Sequence, residues 1–396
     1  MSQTEVQLIK NGAVVDADIN GMSSSKLSGA LPAISGASLT NLPTPAGKVR
    51  NLIINGAMQV AQRGTSSTTN GYGSVDRYRV FFTGLDESPT QAQADVAAGT
   101  TPYTSGFRKC LKVTNGNQTS GAGAGDYLVI RQTLEAQDIA NSGWNYTDSN
   151  SKITLQFWVK SSVAQNFYGR LQTQDGTTYN FPFETGSLSA DTWTKITKTI
   201  SGNSNLTFNN DNGGGLRVEV IPFYGTDYTA SPTLDTWAAH SSSSRTPDNT
   251  STWYTTNDAT LEITGLQLEV SDHATDFEHR SFGQELALCQ RYYYTTKGGN
   301  DGNPNSDFGG FFGVPLNTGA GIGIGNFPVA MRATPTIVLY DATATAGKFT
   351  QNGVNYFTGS AGTINTNGFS LISGASGVST TTNYTLTAGF TADAEL

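Results

Sequence analysis

"KITLQFWVK", residues 152–160, alternates without a break. Ile153, Leu155, Phe157 and Val159 share one parity, and Thr154, Gln156, Trp158 and Lys160 share the other. A period of two puts the first set on one face of an extended strand and the second on the opposite face. The stretch predicts a half-buried strand. "NFYGRLQT" (166–173) repeats the pattern, with Phe167 and Leu171 on one side and Tyr168, Arg170 and Gln172 on the other. "LRVEVIPF" (216–223) and "TLEITGLQLEV" (260–270) also alternate. Clusters such as "TQDGTT" and "NNDNGGG" mark turns between the runs. Many strands with regular turn signals predict a mainly β chain built on an antiparallel jelly-roll β-sandwich.

Composition agrees. Charged residues make up 14% of the 396, against about 25% in an ordinary globular chain. Gly, Thr, Ser and Asn abound, and aromatics reach 10%. The formal net charge is −8, and no Lys/Arg cluster stands out. Nucleic acid is therefore not an expected partner, because phosphate binding needs concentrated cations. Polar uncharged partners such as sugars are compatible. No run of 18 apolar residues exists, so no membrane insertion is expected, and "MSQTEVQLIKNG" lacks an apolar signal region. The expectation is a protein made in a cytoplasm. Cys110 and Cys289 lie far apart in no CxxC motif, which predicts two buried free thiols.

Residues 1–48 contain no Trp, Phe, Tyr or Cys, and carry a loose repeat, "SKLSGALPAI" (25–34) and "SLTNLP" (38–43). So short a segment of small apolar residues cannot bury a core alone. It is either a disordered linker or an extended stalk that packs against copies of itself. The β texture runs from 49 to about 280. It resumes after 295, where "GAGIGIGNF" (319–327) leaves one strand face all Gly, open to close approach by another backbone. A smaller C-terminal β-sandwich is placed at 281–396. The joint is "FEHRSFGQELALCQRYYY" (277–294), a charged and helical-looking stretch in a chain poor in both. Ser281 and Gln284 have capping-box spacing, and Leu286, Leu288 and Cys289 give the helix an apolar side. Glu278, Arg280, Glu285 and Arg291 are available to pair locally. The stretch reads as a capped hinge rather than an active site, with its tyrosines opening the next domain.

Three groups of motifs resemble a known family. They are "NLIINGAMQVAQRGTS" with "GYGSVDRYRV" (51–66, 71–80); "FWVKSS" with "ITGLQLEVSDHATDFEHRSFGQELALCQRYYY"; and "FPVAMRATPTI" with the terminal "FTADAEL". In this order they resemble bacteriophage tail fibre and receptor-binding proteins of tailed phages of aquatic bacteria, over about residues 49–396. The resemblance implies a carbohydrate-binding-module-like jelly roll at 49–280, a C-terminal β domain and a homotrimer. It also implies a virion location, with a host cell-surface glycan as partner and a phage tail or nozzle/baseplate protein at the N-terminus. It carries over no binding residues.

The residues themselves offer three candidate surfaces. The first is the outer face of the strands 152–160 and 166–173, read as neighbours, with Gln156, Trp158, Lys160, Tyr168, Arg170 and Gln172. Aromatic rings stack on sugar faces, and amides, Arg and Lys bond hydroxyls or carboxylates. The same face also suits packing against a neighbouring subunit or a loop. The second is a set of turn-borne aromatics, Trp144, Tyr146, Trp237, Trp253 and Tyr254, which either face solvent or cap the core. The third is a distal tip, "KGGNDGNPNSDFGGFFG" (297–313), with Phe308, Phe311 and Phe312 as contacts or as core plugs. Asp301, Asn303, Asn305 and Asp307 mimic a calcium loop, but Ser306 and Phe312 stand where Gly and Glu are needed, so no metal is expected. His240, His273 and His279 match no zinc spacing. No GxSxG, Walker A, HExxH or cofactor motif occurs. A non-enzymatic binder is the leading expectation. A structural tail or baseplate component and a short polysaccharide-degrading tailspike are the alternatives.

Overall fold

The computed structural model describes residues 50–296, 311–317, 320–341, 343–351, 355–373 and 386–396. The chain divides after Lys48, and every described residue belongs to the unit Val49–Leu396. Phe308, the calcium-loop mimic at 301–307 and the N-terminal repeat lie outside the described residues.

The first part of the unit is a sandwich of two antiparallel sheets, with a small parallel pair, Thr229–Ala230 and Thr246–Pro247, beside them. Its strands are β1 (Ser66–Ser67), β2 (Arg79–Thr83), β3 (Thr90–Asp95), β4 (Lys109–Thr114), β5 (Tyr127–Glu135), β6 (Lys152–Ser161), β7 (Asn166–Thr173), β8 (Tyr179–Ser187), β9 (Thr194–Ser201), β10 (Gly214–Tyr224), β11 (Thr229–Ala230), β12 (Ala238–Ala239), β13 (Thr246–Pro247) and β14 (Thr260–Glu269). Sheet A has the order β1-β3-β4-β14-β6-β9, and sheet B the order β12-β8-β7-β10-β5-β2. The chain passes repeatedly from one sheet to the other, as a jelly roll does. Short helices α1 (Thr101–Thr104), α2 (Ala136–Ala140) and α3 (Thr252–Thr255) sit in the connections.

The alternation read from the sequence sets the core. Leu155 and Phe157 of β6, Leu261 and Ile263 of β14, Phe167 and Leu171 of β7, and Leu216 and Val218 of β10 all point inward and are buried. Phe157 of sheet A meets Phe183 of sheet B with ring centroids 6.4 Å apart. The loop before β1 belongs to this body too. Asn51 donates to Leu266 O at 3.1 Å and accepts from the amides of Ile53 and Leu268, both at 3.0 Å. Asn55, at φ +59° and fully buried, donates to the carbonyls of Val60 and Asp76. These two amides replace a strand's missing backbone partners, which is why a buried loop is tolerated here. Cys110 and Cys289 are buried free thiols, as expected.

A connector, residues 270–280, leaves β14 and lies across the outer face of sheet A. Gln156 Nε2 donates to Thr275 O at 2.7 Å, and Gln267 Oε1 accepts from the Glu278 amide at 2.8 Å. Helix α4 (Phe282–Gln290) follows, with Ser281 as N-cap and the complete Ser281–Gln284 capping box. The hinge charges pair as a network. Glu278 Oε2 accepts from the amides of Arg50 (3.1 Å) and Asn51 (2.7 Å). Arg280 donates to the carbonyls of Asn51 and Ile53 and lies 3.3 Å from Glu278 and 3.5 Å from Glu285. Arg291 reaches further and makes two 2.8 Å bonds to the buried Glu135 of β5.

The C-terminal strands are β15 (Tyr293–Thr295), β16 (Phe311–Asn317), β17 (Ala320–Asn326), β18 (Thr336–Tyr340), β19 (Lys348–Gln351), β20 (Asn355–Thr358), β21 (Ser360–Gly362), β22 (Gly368–Ser373) and β23 (Leu386–Asp393). β23 organises them. Its start pairs with β16 and β19, and its end with β15 and β18. Phe349, Leu386 and Phe390 are fully buried at the centre. The expected distal loop ends early: Phe311 and Phe312 open strand β16, where Phe311 pairs with Ala388 and Phe312 with Ile324 and Thr387. They are ladder residues rather than loop residues. The chain's end locks back onto the sandwich. Glu395 pairs with Arg77 and with Arg63 (3.2 Å), and the Arg77 guanidinium stacks 3.4 Å from the Tyr292 ring centroid.

Arg280→Ala would leave the largely buried Glu285 and Glu278 without their guanidinium and free the carbonyls of Asn51 and Ile53. The expected cost is about 3–5 kcal/mol, as for breaking one side of a buried ion pair. Arg280→Lys should recover only part of it, because a point charge cannot bond two carbonyls and two carboxylates as the planar fork does. Denaturant unfolding of the three proteins checks both expectations.

Candidate functional site

Strands β6 and β7 are not neighbours. β6 lies in sheet A between β14 and β9, and β7 lies in sheet B between β8 and β10. The platform expected from Gln156, Trp158, Lys160, Tyr168, Arg170 and Gln172 is therefore split between two faces on opposite sides of the sandwich. The reason is local. Between the strands, the Ser161 hydroxyl bonds both the amide and the carbonyl of Val163, and the Ser162 hydroxyl accepts from the Thr260 amide. Hydroxyls that satisfy the corner's backbone let four residues carry the chain to the other sheet.

The sheet A face holds a shallow pocket of 290 Å³, just below the range of about 300–1,000 Å³ usual for ligand sites. Trp158 is half-buried on its floor, beside Phe107 and Gly265. Gly265 has φ +65°, and a Cβ there would lie 2.7 Å from the Phe107 ring, so a side chain would displace the ring. The connector supplies a wall of Asp276, Phe277 and His279, and Lys195 of β9 stands at the edge. Phe107, Phe277 and His279 form a ring cluster, with centroids 4.8 Å, 5.2 Å and 4.9 Å apart in the three pairings. His279 Nε2 sits 3.0 Å from Ser105 O. The half-buried rings of Trp158 and Phe277 and the exposed His279, beside an exposed carboxylate and an exposed ammonium, can hold a small polar ring by stacking and by directional bonds.

Two expected contacts have other work. Gln156 lines the pocket, but its amide fastens Thr275 and approaches Glu269 at 3.4 Å. Lys160 pairs with Glu262 at 3.0 Å and lies 5.2 Å from the Trp193 ring centroid. Sequence reasoning missed Phe107, Lys195, Asp276, Phe277 and His279, because three separate segments bring them together. The one local signal was the dense "DFEHR" in a sparsely charged chain.

The sheet B face carries Tyr168, Arg170 and Gln172. Arg170 is buried, and its guanidinium bonds Glu219 of β10. Arg131 of β5 bonds the other carboxylate oxygen. Burial alone would raise the Glu219 pKa, but Arg170 and Arg131 outweigh it and hold the carboxyl near 2. Gln172 accepts from Arg217 at 3.2 Å, and Tyr168 is half-buried.

The turn-borne aromatics face the core. Trp144, Trp237, Trp253 and Tyr254 are all buried within it. Each indole finds a carbonyl: Trp144 bonds Ser151 O (3.3 Å), Trp237 bonds Ser201 O (2.9 Å), and Trp253 bonds Thr260 O (3.0 Å). They close the ends of the sandwich, with Tyr146 packed partly against them. Tyr254 stacks on Phe223 at 4.2 Å and donates to Asp126 at 3.0 Å.

Trp253→Ala should therefore lower stability by about 3–5 kcal/mol, the usual range for truncating a buried aromatic, as read by denaturant unfolding. Glu219 gives a pH signature. Its folded pKa is depressed, so its contribution is complete above the unfolded value near 4.3 and is lost as pH falls through about 2. The stability gap between the protein and Glu219→Gln should be widest near neutrality and shrink from about pH 4.3 toward 2. Unfolding curves across that window check it.

No protein-family model and no curated protein matches the chain. Solved structures similar to it include a putative sugar binding protein from Bacteroides thetaiotaomicron, with 12% identity, 56% of this chain and 100% of that one covered, and a TM-score of 0.28. A xylan-binding domain from carbohydrate-binding module family 22 shows 12% identity over 55% and 99% of the two chains, with a TM-score of 0.27. The N-terminal cellulose-binding domain of the Cellulomonas fimi β-1,4-glucanase C shows 8% identity over 54% and 98%, also at 0.27.

Proposed function

We propose that this chain is a glycan-binding protein whose sandwich holds a sugar residue in the sheet A pocket. The observation that carries the reading is the 290 Å³ pocket in which Trp158, Phe107 and Phe277 meet the polar groups of Asp276, Lys195 and His279. Aromatic faces beside a few directional groups suit a pyranose ring, which has an apolar face and a rim of hydroxyls. Trp158 is the floor, Phe277 and His279 the wall, and Asp276 and Lys195 the hydroxyl partners.

The finer reading follows from the motifs at 51–80, 263–294, 327–337 and 390–396, which resemble phage tail fibre and receptor-binding proteins. In that reading the chain is a homotrimeric, non-enzymatic virion component that attaches the particle to a host cell-surface polysaccharide. Residues 1–48 join it to the tail. One pocket of this size binds weakly, and three copies on one fibre raise the effective concentration at a polymeric ligand.

The test is binding of the full chain to purified host capsule or lipopolysaccharide by isothermal titration, beside a Trp158→Ala, Phe277→Ala double variant. Removing both rings should weaken binding at least about tenfold, as expected for central aromatic contacts. Thermal unfolding must show that the variant stays folded. Unchanged affinity in a folded variant would move the site elsewhere, and new reducing ends in the mixture would overturn the non-enzymatic reading.

A further inference from the structure

The outer face of sheet B has a charge distribution unlike the rest of the chain. Strand register lines up Arg79, Arg131, Glu219 and Arg170 in one row across β2, β5, β10 and β7. The next row holds Thr133, Arg217 and Gln172. Four guanidiniums thus share the face with one carboxylate among them, Glu219, and a second, Glu184, at the margin opposite Tyr168, in a protein whose net charge is −8. Glu219 is already taken by Arg131 and Arg170. Arg217 has no carboxylate partner among the described residues. One of its terminal nitrogens donates to Gln172, while its Nε is buried without a partner. Burial and the neighbouring Arg131 push the Arg217 pKa down to about 10, so its charge is held against resistance. From the loop above, His240 brings a buried Nδ1 that also has no partner. Burial and Arg170 keep that imidazole neutral, with a pKa near 4, so near neutrality it keeps one N–H. Beside these groups the face turns aromatic. Phe81 and Tyr127 are half-buried in edge contact at 5.6 Å, Tyr228 lies 5.4 Å from Tyr127, and Arg245 stacks on Tyr228 at 4.4 Å.

We infer that this face is a second binding surface that takes an anionic glycan, with an acidic group of the sugar chain seated on Arg217. A half-buried guanidinium with no carboxylate bonded to it asks for a carboxylate or sulfate oxygen at its terminal nitrogens. The half-buried rings of Phe81, Tyr127 and Tyr228 offer stacking to the adjoining sugar faces. The arginines cluster on one face rather than forming a basic stripe that could track a polyphosphate backbone, which favours an acidic sugar chain over a nucleic acid. The surface is separate from the Trp158 pocket, so either assignment stands or falls alone.

The experiment compares polygalacturonate with its fully methyl-esterified form and with dextran sulfate, titrated into the full chain. The ester keeps the rings and removes the charge. Binding to polygalacturonate or dextran sulfate should be at least tenfold tighter than to the ester, and should weaken with added salt. Arg217→Gln should lose at least tenfold of that affinity, while Trp158→Ala should leave it unchanged. Arg217→Gln removes a repelled cation, so its unfolding midpoint should equal or exceed that of the parent, and loss of binding then reports the site. Whichever acid binds better tells carboxylate from sulfate. Equal affinity for acid and ester, undiminished binding by folded Arg217→Gln, or equally tight binding of a single-stranded oligonucleotide would each overturn the inference.

Discussion

The connector's grip on the N-terminal loop is the constraint on which the rest of the structure depends. Arg280 sits between two carboxylates and two carbonyls, and Glu278 gathers the amides of Arg50 and Asn51. Two segments more than 220 residues apart are fastened side by side by charge-assisted bonds. The consequence runs in three directions. The loop at 51–60 is pressed into the core, where Ile53 and Met58 are buried. The connector lies flat on sheet A and offers Phe277 and His279 to the pocket. Helix α4 starts from a fixed point, so the C-terminal strands grow from a defined place. In a chain with few charges, these are spent where a backbone has no ladder to bond to.

Much of this was legible in residues that obey a period. The alternation in 152–160 and 260–270 follows from the pleat, and the strands appear where it puts them. The capping box was legible because it is a local reciprocal bond between Ser281 and Gln284. Sheet membership was not. Alternation says which side chains share a face of one strand, but nothing about which strand lies beside it. The residues at 162–165 resemble a hairpin loop in length, and the bonds of Ser161 to Val163 and of Ser162 to Thr260 hold them instead in a corner between sheets.

The direction of the loop tryptophans is left open by the sequence for a related reason. A Trp outside a periodic run gives no direction of burial from sequence. In three dimensions each has an apolar body large enough to close an open end of the sandwich and a single donor that meets a strand-end carbonyl. Burying more than one such ring at the ends frees the sheet faces from structural duty, and the chemistry distributes there. Phe311 and Phe312 failed differently, since the glycines around them suit a mobile loop and a close-packed strand equally well.

The two outer faces then differ in how their polar groups are satisfied. On sheet A, the connector meets the needs of Gln156, Gln267 and Glu269, and leaves an aromatic pocket beside them. On sheet B no carboxylate among the described residues pairs with Arg217. Glu219 can neutralise two guanidiniums at most, and strand register forces a third, Arg217, within the field of the other two. A fold optimised for stability alone would place an apolar or neutral residue at that position, because an uncompensated half-buried cation is a cost with no return inside the protein. An external oxyanion would remove the cost and form a charge-assisted bond in the same step, and its binding would weaken as salt screens the face. Stability and recognition therefore pull in opposite directions at one side chain, which is where a binding surface departs from a merely structural one.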